Sequence, residues 1–130
     1  MLGDHDTIAT LAVKDLQVAR DFYEGVLGFT ARGEVPDGVL YSSGSGAFLV
    51  YPSSYAGTNK ATSMSFQVPG ADFDAEVDAL RDHGVTFQTF DAPGIDWDDG
   101  VASSGDDFRA VWFADPDGNI LNVETGVSGA

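Results

Sequence analysis

Residues suited to chemistry are concentrated in one acidic segment, residues 91–107, which reads DAPGIDWDDGVASSGDD. The segment places Trp97 among six aspartates and predicts a long loop, of the kind that often covers a pocket. An indole face attracts cations and carboxylates add charge, so the segment is a candidate surface for a planar cationic compound. The interpretation that we favour is a solvated loop whose Ile95 and Trp97 pack against their own domain or a dimer partner. The aspartates lack the spacing of a calcium-binding helix-loop-helix.

Thiolate and imidazole chemistry has few candidates. The chain has no cysteine, which excludes disulfides and thiolate ligands, and it has two histidines. His5 lies in a polar lead-in and is expected to be exposed. His83 precedes Gly84 at the end of a predicted helix, where the helix dipole favours a cation, so we predict a structural role for it. No Ser-His-Asp arrangement is recognisable.

The net charge of the chain limits the classes of partner that it is expected to bind. Its 130 residues carry 21 acidic and 6 basic side chains, for a net charge of −15. Such a field repels phosphate backbones and anionic lipid, so we expect no nucleic-acid and no membrane partner. The charge is interpreted either as a solvated acidic coat or as the field of a site for a cationic ligand. No apolar stretch is long enough to span a membrane and no secretory leader is recognisable, so we expect a cytoplasmic protein.

The first structural unit lies in residues 7–29. The apolar and β-branched residues from Ile8 to Val13 predict a strand. Asp15 is suited to cap a helix, and Gly28 is suited to end it in a left-handed conformation. The apolar residues between them follow the spacing of a helix with one buried face: Leu16, Ala19, Phe22, Tyr23, Val26 and Leu27.

A second copy of this unit begins at Thr62. Alternation over residues 62–68 predicts a strand, and a cap, an apolar stripe and a glycine follow at Asp72, residues 73–83 and Gly84. One face of the strand is polar and is expected to be wet; it carries Ser63, Ser65 and Gln67. Further strands are predicted at 30–34, 39–43 and 47–51, with a turn at 36–38, and at 85–90, 108–114 and 119–124. The chain is therefore predicted to be one domain, residues 1–130, with βαβββ modules at 7–52 and 62–126 and a linker at 53–61.

Three motifs carry a family resemblance: DLQVARDFYEGVLGF near the start, HGVTF in the middle and VWFADPDGNILNVE near the end. Together and in this order they resemble the glyoxalase, bleomycin-resistance and extradiol-dioxygenase superfamily, also called vicinal oxygen chelate proteins. The resemblance implies an α+β fold in which the two modules pair their sheets into an open barrel around a cavity, with the helices outside. It also implies a homodimer.

The resemblance locates four positions where metal-dependent members hold a divalent ion. These positions are Ile8, Leu49 (or Val50 after a slip of one residue), Ser63 and Asn122. Two are hydrocarbon and two are weak neutral donors, a set that cannot hold a divalent ion tightly. We therefore predict no metal and no other cofactor, and interpret Ser63 and Asn122 as polar lining of a cavity.

The resemblance also suggests which other residues line the cavity. Of the adjacent Trp112 and Phe113, one is expected to face the helices and the other the cavity. Arg109 either contacts a ligand or pairs with a neighbouring aspartate. Glu124 is the candidate catalytic base, should burial raise its pKa. The predicted ligand-binding residues are Ile8, Thr10, Tyr41, Leu49, Tyr51, Ser63, Ser65, Trp97, Arg109, Trp112, Phe113, Asn122 and Glu124.

The function that these expectations favour is metal-free binding of a small cationic or aromatic molecule, as in the sequestering bleomycin-resistance branch. A first alternative is a metal-independent isomerase or lyase that uses Glu124. A second is a metal-dependent lyase or dioxygenase whose ligands are displaced from the positions named above.

Overall fold

The backbone of the computed structural model is described for residues 1–36 and 38–126. The predicted turn at 36–38 contains residue 37, which lies outside the described residues, as do the last four residues of the predicted domain. Neither of the two α-helices in the described part is long and apolar enough to cross a membrane.

The strands form two sheets with matching topology. In the first sheet the order is β1-β4-β3-β2, with β1 parallel to β4 and the other pairs antiparallel. In the second sheet the order is β5-β9-β8-β7-β6, with β5 parallel to β9. This confirms the α+β fold of two paired sheets. The strand bounds are β1 Ala9–Val13, β2 Ala31–Val35, β3 Gly38–Ser43, β4 Gly46–Pro52, β5 Thr62–Gln67, β6 Asp96–Asp98, β7 Val101–Ser104, β8 Phe108–Ala114 and β9 Ile120–Thr125.

The first helix begins where the sequence predicts. The Asp15 carboxylate accepts hydrogen bonds from the backbone N–H groups of Gln17 and Val18, which satisfies two free donors at the start of α1, Leu16–Arg20. The helix then widens into a π-helical stretch, Asp21–Val26, instead of continuing as an α-helix. Gly28 follows with a positive φ of 78°.

The second helix, α2, spans Phe73–Asp82 and follows a short 3-10 turn at Gly70–Asp72. Asp72 stands at its N-cap position, but its side chain makes no capping hydrogen bond. Phe73 and Val77, one turn apart, are the buried residues of this helix. The predicted apolar stripe therefore does pack inward, while the predicted side-chain cap is wrong.

The segment after α2 differs from its prediction. Residues 85–90 form no strand and make a single bridge, between Gln88 and Trp112. The predicted loop at 91–107 instead contains the β6–β7 hairpin, whose β7 pairs with residues 108–110 of β8. The hairpin pairs with the edge of β8 that the predicted strand would need. Residues 85–90 therefore reach β8 only beyond the hairpin, at Trp112.

The helices pack on one face of each sheet around a continuous core. Tyr23 lies against Phe48, with ring centroids 5.6 Å apart, and is fully buried. Phe29, just after the π-helical stretch, stacks on Phe66 of the second sheet at 5.6 Å. Val111 and Phe113 extend the same core through β8. The faces opposite the helices, which we call the open faces, carry the alternate residues of each strand.

Candidate functional site

An aromatic cluster lies on the open face of the second sheet. The Trp112 ring is 4.9 Å from Phe90 and 6.0 Å from Trp97, and Phe90 is 5.2 Å from Trp97. The two tryptophans are half-buried and Phe90 is 47% exposed. We call these three residues the aromatic cluster. It offers exposed ring surface for a flat ligand.

Pairing within the second sheet positions the two tryptophans. Trp97 is opposite Ala102 in the β6–β7 hairpin, and Ala102 is opposite Ala110 on β8. Small alanines on this row leave room for the indoles above the sheet. The Trp112 indole N–H donates to the Thr62 hydroxyl at 3.2 Å, which fixes the direction of that ring.

The charge around the cluster is less concentrated than the sequence suggests. Asp96 and Asp98 flank Trp97 in a strand, so their side chains project from the opposite face of the hairpin. Asp91, in contrast, lines the same cavity as Phe90 and Trp97, with a volume of about 590 Å³. Local attraction for a cation therefore comes from Asp91, together with the net charge of −15.

Asn122 carries an unsatisfied polar atom. It is opposite Trp112 on β8 and Ser65 on β5, and it is 1% exposed. Its amide N–H donates weakly to the Val111 carbonyl at 3.5 Å, while its Oδ1 is buried and has no partner among the described residues. A buried acceptor without a donor lowers the stability of the fold.

Glu124 is held in place by a neighbour. Its Oε1 accepts a hydrogen bond from the Gln67 side-chain amide at 2.7 Å, across the β5–β9 pair. The carboxylate is half-buried on the same open face as Asn122. It can accept a hydrogen bond from a ligand, and it adds a negative charge near the aromatic cluster.

The four predicted metal-ligand positions do not form a metal site. Ile8 is 51% exposed just before β1, and Leu49 is on the open face of β4. A bulge in β5 displaces Ser63, whose hydroxyl accepts a hydrogen bond from the Asn59 side chain at 2.8 Å. Over residues 1–36 and 38–126, no three acidic or histidine side chains group to hold an ion. The donor set does not fit a divalent metal.

Two further predicted residues lie away from the aromatic cluster. Thr10 and Ser63 share a small groove of about 390 Å³ beneath linker residues such as Tyr55 and Asn59. Tyr51 lies on the open face of β4, two residues from Leu49. The predicted site residues are therefore divided between the aromatic cluster, the linker groove and the open face of the first sheet.

Tyr41 is a correction to the predicted lining, and Phe113 is the residue of the Trp112–Phe113 pair that faces the helices. Both are at most 1% exposed and belong to the core on the helix side. The Tyr41 hydroxyl donates to Glu24 at 2.9 Å, and burial raises its pKa. The guanidinium of Arg20 holds the pKa of Glu24 below its usual range. Because side chains alternate along a strand, Trp112 lies on the open face and Phe113 lies in the core.

Arg109 is also displaced from the predicted lining. Its guanidinium pairs with Asp74 of α2 at 2.7 Å and lies 4.6 Å above the Phe73 ring. This is the alternative in which Arg109 pairs with a neighbouring aspartate. The residue fastens α2 to β8 instead of facing the open side.

Three residues of the site were not predicted. Phe90 falls in the strand predicted at 85–90. The predicted ligand-binding residues include neither Thr62 nor Gln67, although these hydrogen-bond to Trp112 and Glu124. The signal for the hairpin that positions Trp97 was present: Asp99-Gly100 is a two-residue turn in which both residues have positive φ, 49° and 80°. Asp-Gly between strand-forming residues is a strong hairpin signal.

The family model described as Glyoxalase/Bleomycin resistance protein/Dioxygenase superfamily matches residues 6–123. No curated protein matches the chain. Fosfomycin resistance protein FosX from Mesorhizobium loti has a TM-score of 0.67 at 16% identity, covering 96% of this chain and 94% of its own. FosX from Listeria monocytogenes, complexed with Mn(II) and sulfate, gives 0.70 at 14%, covering 95% and 91%. Lactoylglutathione lyase from Agrobacterium tumefaciens gives 0.66 at 18%, covering 94% and 93%. At such identities the likeness shows the fold.

Proposed function

The chain belongs to the glyoxalase/bleomycin resistance protein/dioxygenase superfamily, and from this premise we propose that it binds a small aromatic cation without a metal ion. The observation that carries the proposal is the aromatic cluster of Phe90, Trp97 and Trp112 on the open face. In this function the ligand is held and released unchanged. Proteins of this superfamily bind small molecules, which gives the general class.

Stacking supplies the main attraction in this proposal. A flat ligand covers ring surface that is exposed in the free protein, which removes apolar area from water. A positive charge on the ligand is attracted by the indole faces and by Asp91 at the cavity edge. An anionic ligand meets the opposite field and is rejected.

Polar groups beside the cluster support recognition of a ligand donor. The unsatisfied Asn122 Oδ1 and the Glu124 carboxylate are acceptors two residues apart on the same face of β9. A ligand N–H that reaches the half-buried Glu124 replaces water there. This supports a nitrogen heterocycle over a plain hydrocarbon.

The proposal includes a homodimer that covers the open faces. Leu49 and Tyr51 of β4 are half-buried, which leaves apolar surface on the first sheet for a second copy to contact. Superfamily members often form dimers, and a second chain would shield a stacked ligand from water. Sedimentation analysis of the purified chain tests this part.

The metal-free part of the proposal rests on donor chemistry. FosX from Listeria monocytogenes has been crystallised with Mn(II), whereas this chain has Ile8 and Leu49 at two of the four ligand positions that the resemblance gives. Hydrocarbon side chains offer no lone pair to an ion. Elemental analysis after incubation with zinc, nickel, manganese and iron(II) should find less than about a tenth of an equivalent held tightly. One equivalent per chain would overturn this part.

Calorimetry with N-methylquinolinium tests the binding function, with 1-naphthoate as the anionic comparison. We expect one ligand per chain, no conversion of it, and binding that weakens as salt is raised. Trp97→Ala should weaken binding about tenfold through lost stacking. Tyr55→Ala removes an exposed ring outside the cluster and should leave binding unchanged. Equal binding by the Trp97 variant would contradict the proposal, as would turnover that Glu124→Gln abolishes.

A further inference from the structure

A cavity that is separate from the aromatic cluster lies between the two sheets. It has a volume of about 640 Å³ and opens between the β3–β4 turn of the first sheet and the last residues of β5 in the second. Leu80 of α2 and Phe29 form two of its other sides. None of Phe90, Trp97 and Trp112 lines it. Its volume lies in the range of small-molecule sites, about 300–1,000 Å³.

The β3–β4 and β8–β9 turns occupy corresponding places in the two sheets, and the β3–β4 turn has only small side chains. We attribute the cavity to this difference. In the second sheet, the β8–β9 turn reaches across to β1: the Asn119 side chain donates to the Ala12 carbonyl at 2.8 Å, and Asp117 accepts from Lys14 N–H at 3.0 Å. In the first sheet, the β3–β4 turn faces β5 with the sequence Ser43-Gly44-Ser45-Gly46. Hydroxymethyl groups and hydrogens cannot fill the matching gap.

The cavity walls are apolar and only half covered. Its half-buried side chains are Leu27, Phe29, Phe66, Val68 and Leu80, and its buried floor is Phe113 and Val123. Burial of these surfaces by a ligand removes apolar area from water. This favours a ligand with a rigid apolar body of about two fused rings.

The polar groups of the cavity are hydroxyls, an amide and one acid. Glu76 is the single charged residue of the lining, and no lysine, arginine or histidine lines the cavity. Glu76 precedes Leu80 by one helical turn, so the two side chains share one face of α2. Because β5 is an edge strand, outward backbone groups near Ser65 add acceptors and donors.

We propose that this cavity is a second small-molecule site, which takes an amphiphilic amine. The apolar body packs between Phe29, Phe66 and Leu80, and the ammonium group lies beside Glu76. Carboxylates and phosphates are rejected, since the lining holds a negative charge and no positive one. None of the three rings of the aromatic cluster lines this site, although Gln67, the hydrogen-bond partner of Glu124, does.

Calorimetry of the Trp97→Ala chain with 1-naphthylmethylamine tests the proposal while binding at the aromatic cluster is weakened. We expect one amine per chain, and at least tenfold weaker binding of 1-naphthaleneacetate, which has a similar ring and the opposite charge. Ser45→Trp, in the exposed turn at the rim, should fill the cavity and abolish amine binding. An unchanged thermal midpoint will show that this variant is folded.

Glu76→Gln and Asp78→Asn form a matched pair in this test. Both remove one exposed carboxylate from α2, but only Glu76 lines the cavity. We expect about threefold weaker amine binding for Glu76→Gln and no change for Asp78→Asn, because an exposed charge pair contributes little. Amine binding that Ser45→Trp leaves intact would overturn the proposal, and so would equal binding of the carboxylate. Loss of N-methylquinolinium binding alone concerns the aromatic cluster and leaves this site standing.

Discussion

The two sheets share a strand order, yet their corresponding turns behave differently. The β8–β9 turn, residues 115–119, is tied to the first sheet by side-chain hydrogen bonds, whereas the β3–β4 turn, residues 43–46, borders an open cavity. The backbone topology is the same in both places. The difference shows that side-chain content of a turn decides whether the gap between two such sheets is closed or is left as a site.

Asp115 is the centre of the closed turn. Its carboxylate accepts from the Tyr23 hydroxyl and the Asn119 side chain at 2.8 Å each, and from the N–H groups of Asp117 and Asn119 at 2.9 Å each. The residue is 5% exposed and has no basic side chain among these partners. A buried carboxylate is stable here because every direction is occupied by a donor.

Asp115→Ala should have the largest effect on the closed turn. Several buried donors lose their acceptor together, so we expect the free energy of unfolding to fall by about 3–5 kcal/mol. Ser45→Ala, in the open turn, should change it by less than about 0.5 kcal/mol. Urea denaturation of both variants measures the contrast. Comparable losses in the two turns would remove the distinction drawn between them.

Tyr23→Phe deletes one donor to the same carboxylate. We expect a loss of about 2 kcal/mol, because the buried Asp115 carboxyl group loses one of its hydrogen bonds. Tyr41→Phe is the matched control, since its hydroxyl donates to the partly exposed Glu24, where water can replace it. That variant should lose about 1 kcal/mol or less. The reverse order of the two losses would show that Asp115 does not need Tyr23.

Alkaline pH should lower the free energy of unfolding through Tyr23, which contacts the turn at residues 115–119. Burial, followed by the nearby Asp115 carboxylate, raises the Tyr23 pKa above its ordinary value of 10. The unfolded chain loses this proton near pH 10 while the folded chain keeps it, so the stabilisation is complete below pH 10 and is lost above it.

Each pH unit above 10 should cost about 1.4 kcal/mol through this residue. Denaturation at several pH values from 9 to 11 measures the slope, which should be shallower in Tyr23→Phe. Parallel curves for the variant and the unaltered chain would show that Tyr23 carries no such proton linkage.

Glycine substitution should affect the two turns alike. Gly44 has a φ of 56° and Gly118 a φ of 86°, both in the region that side chains disfavour. We expect Gly44→Ala and Gly118→Ala each to cost about 1 kcal/mol, because both turns need the same backbone freedom. Thermal denaturation measures these losses. A large difference between the two variants would show that the turns at 43–46 and 115–119 also differ in their backbone requirements.

The helix cap, the buried face of α2 and the bounds of β8 were predictable from the sequence. Asp15 caps α1, Phe73 and Val77 face inward from α2, and β8 has the predicted bounds, because each depends on contacts close in the sequence. The β6–β7 hairpin was missed although Asp99-Gly100 signals it. The strand predicted at 85–90 was wrong because that hairpin takes the edge of β8.

The candidate site was predicted in part. Trp97 and Trp112 were named, but their contact with each other and with Phe90 depends on which edge of β8 the hairpin occupies. Tyr41 belongs to the core and not to the predicted lining. Arg109 takes the predicted alternative of pairing with an aspartate. Alternation predicts that Trp112 and Phe113 face opposite sides, but only the packing shows that Phe113 is the one in the core.

Residue types and local spacing were enough to predict the starts of the two α-helices, the acidic field and the lack of donor atoms at Ile8 and Leu49. Tertiary structure alone decided the aromatic cluster, the buried Asn122 oxygen, and the contrast between the turns at residues 43–46 and 115–119. Those features join residues far apart in the chain, and their energies depend on packing and burial that local patterns do not encode.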